Sequence, residues 1–267
     1  MTGMSAFDAP LETVLRRDRI VVVAVLVAVS ALAWAWLLTG AGMEIGAATD
    51  MARAHGSDGN APLLFAMWWM MMLAMMLPSA SPMILLFAAV NRKQRQRGGT
   101  YVPTAVFAAG YLLVWAGFSA GAVVLQLALQ HSGLLSPMLA STSRVLGGLM
   151  LVAAGLYQLT PLKHACLRHC RAPVHFLAEH WRPGSGGALR MGMIHGAYCV
   201  GCCWFLMLLL FVGGVMNLAW IVGLALLVLL EKTMPAGQWL ARAVGLILLL
   251  AGGWALFGAA PGGDHAM

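Results

Sequence analysis

The chain of 267 residues is 61% hydrophobic and only 9% charged, with a mean hydropathy of +0.84. So much apolar surface cannot be hidden in one water-soluble core, which excludes a soluble domain and indicates an integral membrane protein. The formal net charge of +7 falls in short segments between apolar runs, where it orients spans and attracts anionic membrane lipid; it gives no argument for nucleic acid.

A hydrocarbon layer about 30 Å thick takes roughly 20 apolar residues in a helix. Such runs lie near residues 20–38, 62–90, 101–129, 142–160, 194–213, 216–231 and 237–258. The chain is therefore expected to be an all-α, polytopic transmembrane helix bundle of about seven spans. The count becomes six if the second run, which contains Pro78 and Pro82, includes a re-entrant piece. In this reading residues 1–19 are a cytoplasmic N-terminal segment, 20–258 a single transmembrane domain with a cytosolic loop at 161–193, and 259–267 a short C-terminal tail.

Charge sets the orientation. With the N-terminus inside, Arg16, Arg17, Arg19, the run "NRKQRQR" (91–97), Lys163, Arg168, Arg171, Arg182, Arg190, Lys232 and Arg242 all face the cytoplasm, and only Arg53 and Arg144 lie outside. That is the positive-inside pattern of a multi-pass protein of a bacterial-type inner membrane. Arg16 and Arg17 ahead of the first run resemble an export signal. The run is too long for a signal's apolar segment, so a membrane-retained helix is expected.

The second run holds methionine at six of the ten positions from Met67 to Met76. On a helix Met67, Met71 and Met75 share one face, with Met72 and Met76 in the neighbouring row. A thioether is soft and uncharged and can bind Cu(I) in apolar surroundings without burying an anion; its other use is flexible packing. Pro78 and Pro82 break the hydrogen-bond ladder just beyond and free carbonyls that need other partners.

Segment 161–193 opens with "PLKHACLRHCRAPVHFLAEHW", which holds Cys166 and Cys170 among His164, His169, His175 and His180. If both cysteines sit on one helical turn, their thiols share a face. Two thiolates hold Cu(I) linearly, whereas Zn(II) wants four ligands, with a histidine added. The alternative is a basic inner loop whose histidines titrate at the surface. In a reducing cytosol these thiols form no structural disulfide.

The fifth run opens "HGAYCVGCCWFLMLLLF". At about 100° per residue His195, Cys199, Cys202 and Cys203 fall at roughly 0°, 40°, 340° and 80°, one stripe along the helix. The stripe is about 12 Å long, because its eight steps rise about 1.5 Å each, so the four groups cannot close around one ion. Pairs of them can supply two ligands, the rest coming from another element. The methionine helix is the expected partner for the upper part of the stripe and Cys166 with Cys170 for the lower. Buried cysteine is also ordinary core filler.

The segments "WWMMMLAMMLPSASP", "CLRHCRAP", "HGAYCVGCCW" and "GVMNLAW", with "EK" at 231 and 232, make the chain resemble a family of predicted metal-binding integral membrane proteins over residues 62–232. Some of its members are described as copper chaperones that help load copper oxidases. The resemblance implies metal ligands among Met71, Met72, Met75, Met76, Cys166, Cys170, His195, Cys199, Cys202 and Cys203. Glu231 would pair with Lys232, serve as a proton or metal group, or simply accompany a lysine that marks the inner side.

The expected function is that of a membrane Cu(I)-binding protein, with zinc as the other candidate ion. It would be a chaperone or carrier, not an enzyme, supplying copper to a cuproenzyme or its maturation system. The alternatives are a soft-metal permease and a membrane thiol-disulfide oxidoreductase built on "CVGC" (199–202). No hydrolase triad, HExxH or phosphate-binding loop is visible.

Overall fold

A computed structural model describes residues 8–39, 61–98, 102–135 and 139–258, with side chains from residue 20 onward. Among the described residues the regular structure is helical: α1 (Asp8–Leu38), α2 (Ala61–Gln96), α3 (Thr104–His131), α4 (Arg144–Leu159), α5 (Pro161–Arg171), α6 (Pro173–His180), α7 (Gly184–Leu208), α8 (Leu210–Gly213), α9 (Leu218–Thr233) and α10 (Gly237–Phe257). The ends are set by short polar residues. Ser143 accepts from the Leu146 N–H to open α4, and Asn217 accepts from the Trp220 N–H to open α9.

Among the described residues five helices are long and apolar enough to cross a membrane: α1 from Ile20, α2, α3, α7 continued through α8, and α10. A sixth follows if α4 and α5, bent by 64° at their junction, count as one broken span. The run at 216–231 forms α9, whose 16 residues cover only about 24 Å. Segment 161–193, expected to connect two spans, is helical over α5, α6 and the start of α7. Pro78 and Pro82 interrupt the hydrogen-bond ladder without dividing the helix, since α2 runs through both.

The described chain divides into two compact units, residues 1–123 with 166–201 and residues 124–165 with 202–267. In the first, α1 packs on α2, with Ala33 against Leu73 and Ala74 and with Val29, Trp34 and Leu37 around them. Helices α3 and α7 approach closely and run parallel. A side chain at Gly110 would strike the Leu189 carbonyl, one at Gly192 the Phe107 carbonyl, and one at Gly196 would come within 3.2 Å of the Tyr111 carbonyl.

In the second unit α4 lies antiparallel to α10 along another glycine seam. A Cβ at Gly155 would sit 2.8 Å from the Gly245 carbonyl, and one at Gly252 3.0 Å from the Gly148 carbonyl. Small residues let backbones approach where apolar surroundings provide no hydrophobic drive. Trp220 folds back over Gly213 and donates its indole N–H to the Leu209 carbonyl at 2.8 Å.

Candidate functional site

Helix α2 turns its sulfur-bearing face inward. Met67, Met71, Met72, Met75 and Met76 are each 2% exposed or less, while Met70 packs against the α1 contact. The thioethers thus line protein interior. The carbonyl orphaned by Pro82 is that of Pro78, and the Ser81 hydroxyl donates to it at 2.8 Å. The Ser79 hydroxyl donates to the Met76 carbonyl at 2.9 Å. "PSASP" therefore carries its own replacement donor for the carbonyl that Pro82 orphans.

The same Met76 carbonyl lies 3.3 Å from the hydroxyl of Tyr111 on α3. That hydroxyl is also 3.1 Å from Cys199 Sγ on α7, and the Tyr111 ring stacks on His195 with centroids 5.7 Å apart. Phe176 of α6 meets the His195 ring edge-on at 5.4 Å. One arrangement satisfies both oxygens: the thiol donates to the tyrosine oxygen, and the tyrosine donates to the carbonyl. Tyr111, which sequence reasoning passed over, thereby joins the methionine helix to two groups of the cysteine stripe. Its signal was available, since a tyrosine in an apolar span must find a partner for its hydroxyl.

Cys166 and Cys170 lie one turn apart on α5, both half-buried and free of disulfides. Cys166 Sγ sits 2.9 Å from the place a Cβ on Gly201 would occupy. One turn back along α7, the Tyr198 ring stacks face to face on His169, with centroids 4.2 Å apart and planes 1° from parallel. The amino-terminal part of the "CVGCC" segment therefore packs against α5, with Gly201 leaving room for a thiol. Further along α7, Cys202 and Cys203 are each 1% exposed.

The remaining histidines of this region have other work. His180 contacts the Phe176 carbonyl at 3.1 Å and stacks on that ring, and His175 pairs at the surface with Glu179 at 3.4 Å.

In the second unit the carboxylate of Glu231 meets Lys163 Nζ at 2.7 Å and Gln158 Nε2 at 3.0 Å. Its ion-pair partner is thus Lys163, a residue outside the three readings the sequence left open for Glu231. Neighbouring helical residues point about 100° apart and do not face each other.

No three of the His, Cys, Asp and Glu side chains among the described residues gather closely enough to hold a metal ion. Cys166 and Cys170 stand one turn apart on α5, and His195 and Cys199 one turn apart on α7. Two soft ligands are enough for Cu(I), whereas Zn(II) wants four.

Neither a curated protein nor a solved structure matches the chain. Residues 65–255 match the PpoB2 family, whose description is copper chaperone. That match takes in most of the chain, from the methionine helix to α10, and the protein belongs to the PpoB2 copper chaperone family.

Proposed function

We propose that the protein is an integral membrane Cu(I) carrier that accepts the ion on the thioethers of α2, passes it to thiols of α7 and α5, and delivers it to a cuproenzyme or its maturation system. The observation that carries this reading is the double contact of Tyr111. Through one hydroxyl the main chain of Met76 and the thiol of Cys199 are brought to the same buried point. A thioether holds Cu(I) without a charge, and a thiolate holds it more strongly at the cost of one proton released per thiol. The direction of transfer follows from that difference.

The ligands in this reading are Met71, Met72, Met75 and Met76, then His195 and Cys199 with Cys166 and Cys170, and Cys202 and Cys203 further along α7. The reading places the chain in the inner membrane with its N-terminus inside, and seven serpentine crossings, in either orientation, account for two packing directions. Parallel α3 and α7 would be its third and fifth spans, and antiparallel α4 and α10 its fourth and seventh.

The test is metal content. Protein purified in detergent, loaded with Cu(I) under reducing conditions and desalted is expected to keep at least about one copper per chain. The paired change Cys199→Ser and Cys203→Ser is expected to abolish that. A parent protein that stays copper-free sinks the proposal, and retention of Zn(II) in place of copper would reassign the ion.

A permease is the second reading. The 64° break between α4 and α5 favours it, because discontinuous spans often line transport sites. Copper uptake into proteoliposomes separates a permease from a carrier.

A further inference from the structure

The bend between α4 and α5 is written locally. Pro161 cannot continue the α4 ladder and suits the first position of the next helix. The Thr160 hydroxyl donates to the Tyr157 carbonyl at 2.7 Å and accepts from the Lys163 N–H at 3.2 Å, which caps α5. These signals make a bend occur, but they do not fix its direction. Proline holds its own φ, so the direction depends chiefly on the backbone angles of Thr160.

Glu231 supplies the missing constraint. Gln158 is the next-to-last residue of α4 and Lys163 lies in the first turn of α5. One carboxylate oxygen accepts from Gln158 and the other from Lys163. A single side chain of α9 thus grips the chain on both sides of its bend. All three residues are buried, Lys163 completely. Burying an ammonium and a carboxylate adds little stability over apolar packing of the same volume, because desolvation offsets their attraction. What a doubly engaged carboxylate adds is direction, since each oxygen accepts only along its lone pairs.

We propose that Glu231 is a positioning residue that sets the direction in which α5, the helix that holds Cys166, leaves α4. Its relevance to copper rests on the carrier reading above. The positioning itself can be measured without metal.

The experiment follows alkylation of Cys166 by N-ethylmaleimide in the full-length, metal-free protein, resolved cysteine by cysteine by peptide mass spectrometry. Glu231→Ala and Lys163→Met are each expected to speed modification of Cys166 about tenfold, as a segment freed from its restraint opens more often. The charge-reversed double variant K163E/E231K restores an ion pair and brings the rate back to within about threefold of the parent. Asn91→Ala cuts a different buried contact, to the Val102 main chain, and leaves the Cys166 rate unchanged. Should Glu231→Ala fail to fold, Glu231→Gln keeps the shape and gives an intermediate rate.

An unchanged Cys166 rate in the single variants overturns the proposal, as does a rise that Asn91→Ala reproduces or that the charge reversal fails to correct. Copper content is read in parallel. If alkylation behaves as expected while Cys166→Ser binds Cu(I) like the parent, the clamp stands and the ligand role of Cys166 falls.

Discussion

Changing Gly201 to alanine tests the meeting of α5 and α7 with a single methyl group. The added carbon would lie 2.9 Å from Cys166 Sγ and 3.6 Å from its Cβ, whereas non-bonded heavy atoms settle at about 3.5 to 4.0 Å. The sulfur must retreat by roughly 0.8 Å to regain ordinary contact. It stands at the end of a short side chain and can turn away from its present rotamer at about 0.5 to 1.5 kcal/mol. Replacing a helical glycine by alanine returns about 0.8 to 1.0 kcal/mol. The two terms nearly cancel, so Tm is expected to move by less than about 3 °C. Copper binding responds differently. Displacing a ligand, like disturbing the groups that orient one, costs about 10- to 100-fold in metal affinity. Gly201→Ala should therefore weaken Cu(I) binding as Cys166→Ser does, measured by competition with a chromogenic Cu(I) chelator beside thermal melts in the same detergent. Parental affinity in Gly201→Ala, with Cys166→Ser impaired, would refute the idea that this contact sets the thiol for copper. A fall in Tm above about 10 °C would show that the contact is core packing.

Replacing Met71 and Met75 together by leucine keeps volume and burial at under about 1.5 kcal/mol per site and removes only sulfur. Copper retained after loading should fall while the melting curve stays close to the parent; unaltered copper would assign these methionines to packing. Tyr111→Phe keeps the ring on His195 and deletes the hydroxyl shared by the Met76 carbonyl and Cys199, so a loss of about 1 to 3 kcal/mol is expected in denaturant or thermal unfolding. An unchanged stability would mean that the hydroxyl is not the partner of either group. Gly155→Ala places a methyl 2.8 Å from the Gly245 carbonyl and 3.0 Å from the Leu249 nitrogen. Backbone cannot swing aside as a thiol can, so overpacking of about 1 to 3 kcal/mol outweighs the helical gain and Tm falls; a rise would contradict the close approach of α4 and α10.

The long apolar runs were legible as helices, because composition and period are local properties of a chain. The short helices α5 and α6 were less so. Their dense histidines and arginines look like loop, although proline opens each of them at Pro161 and Pro173. Prolines in α2 suggested a division that Ser81 repairs with its hydroxyl. At the site the same boundary appears: the cysteine stripe could be read from α7 alone, but its neighbours could not. Tyr111 lies 88 residues from Cys199, and Lys163 lies 68 from Glu231. Periodicity carries no information over such separations. Glycine gives a partial remedy. In a helix it costs about 1 kcal/mol relative to alanine, so a helical glycine beside reactive residues asks what has come close. At Gly110 and Gly192, and at Gly155 and Gly245, the answer is another backbone; at Gly201, inside "CVGCC", it is the sulfur of Cys166. The cysteines announce the chemistry, and the glycine between them marks where a further thiol approaches.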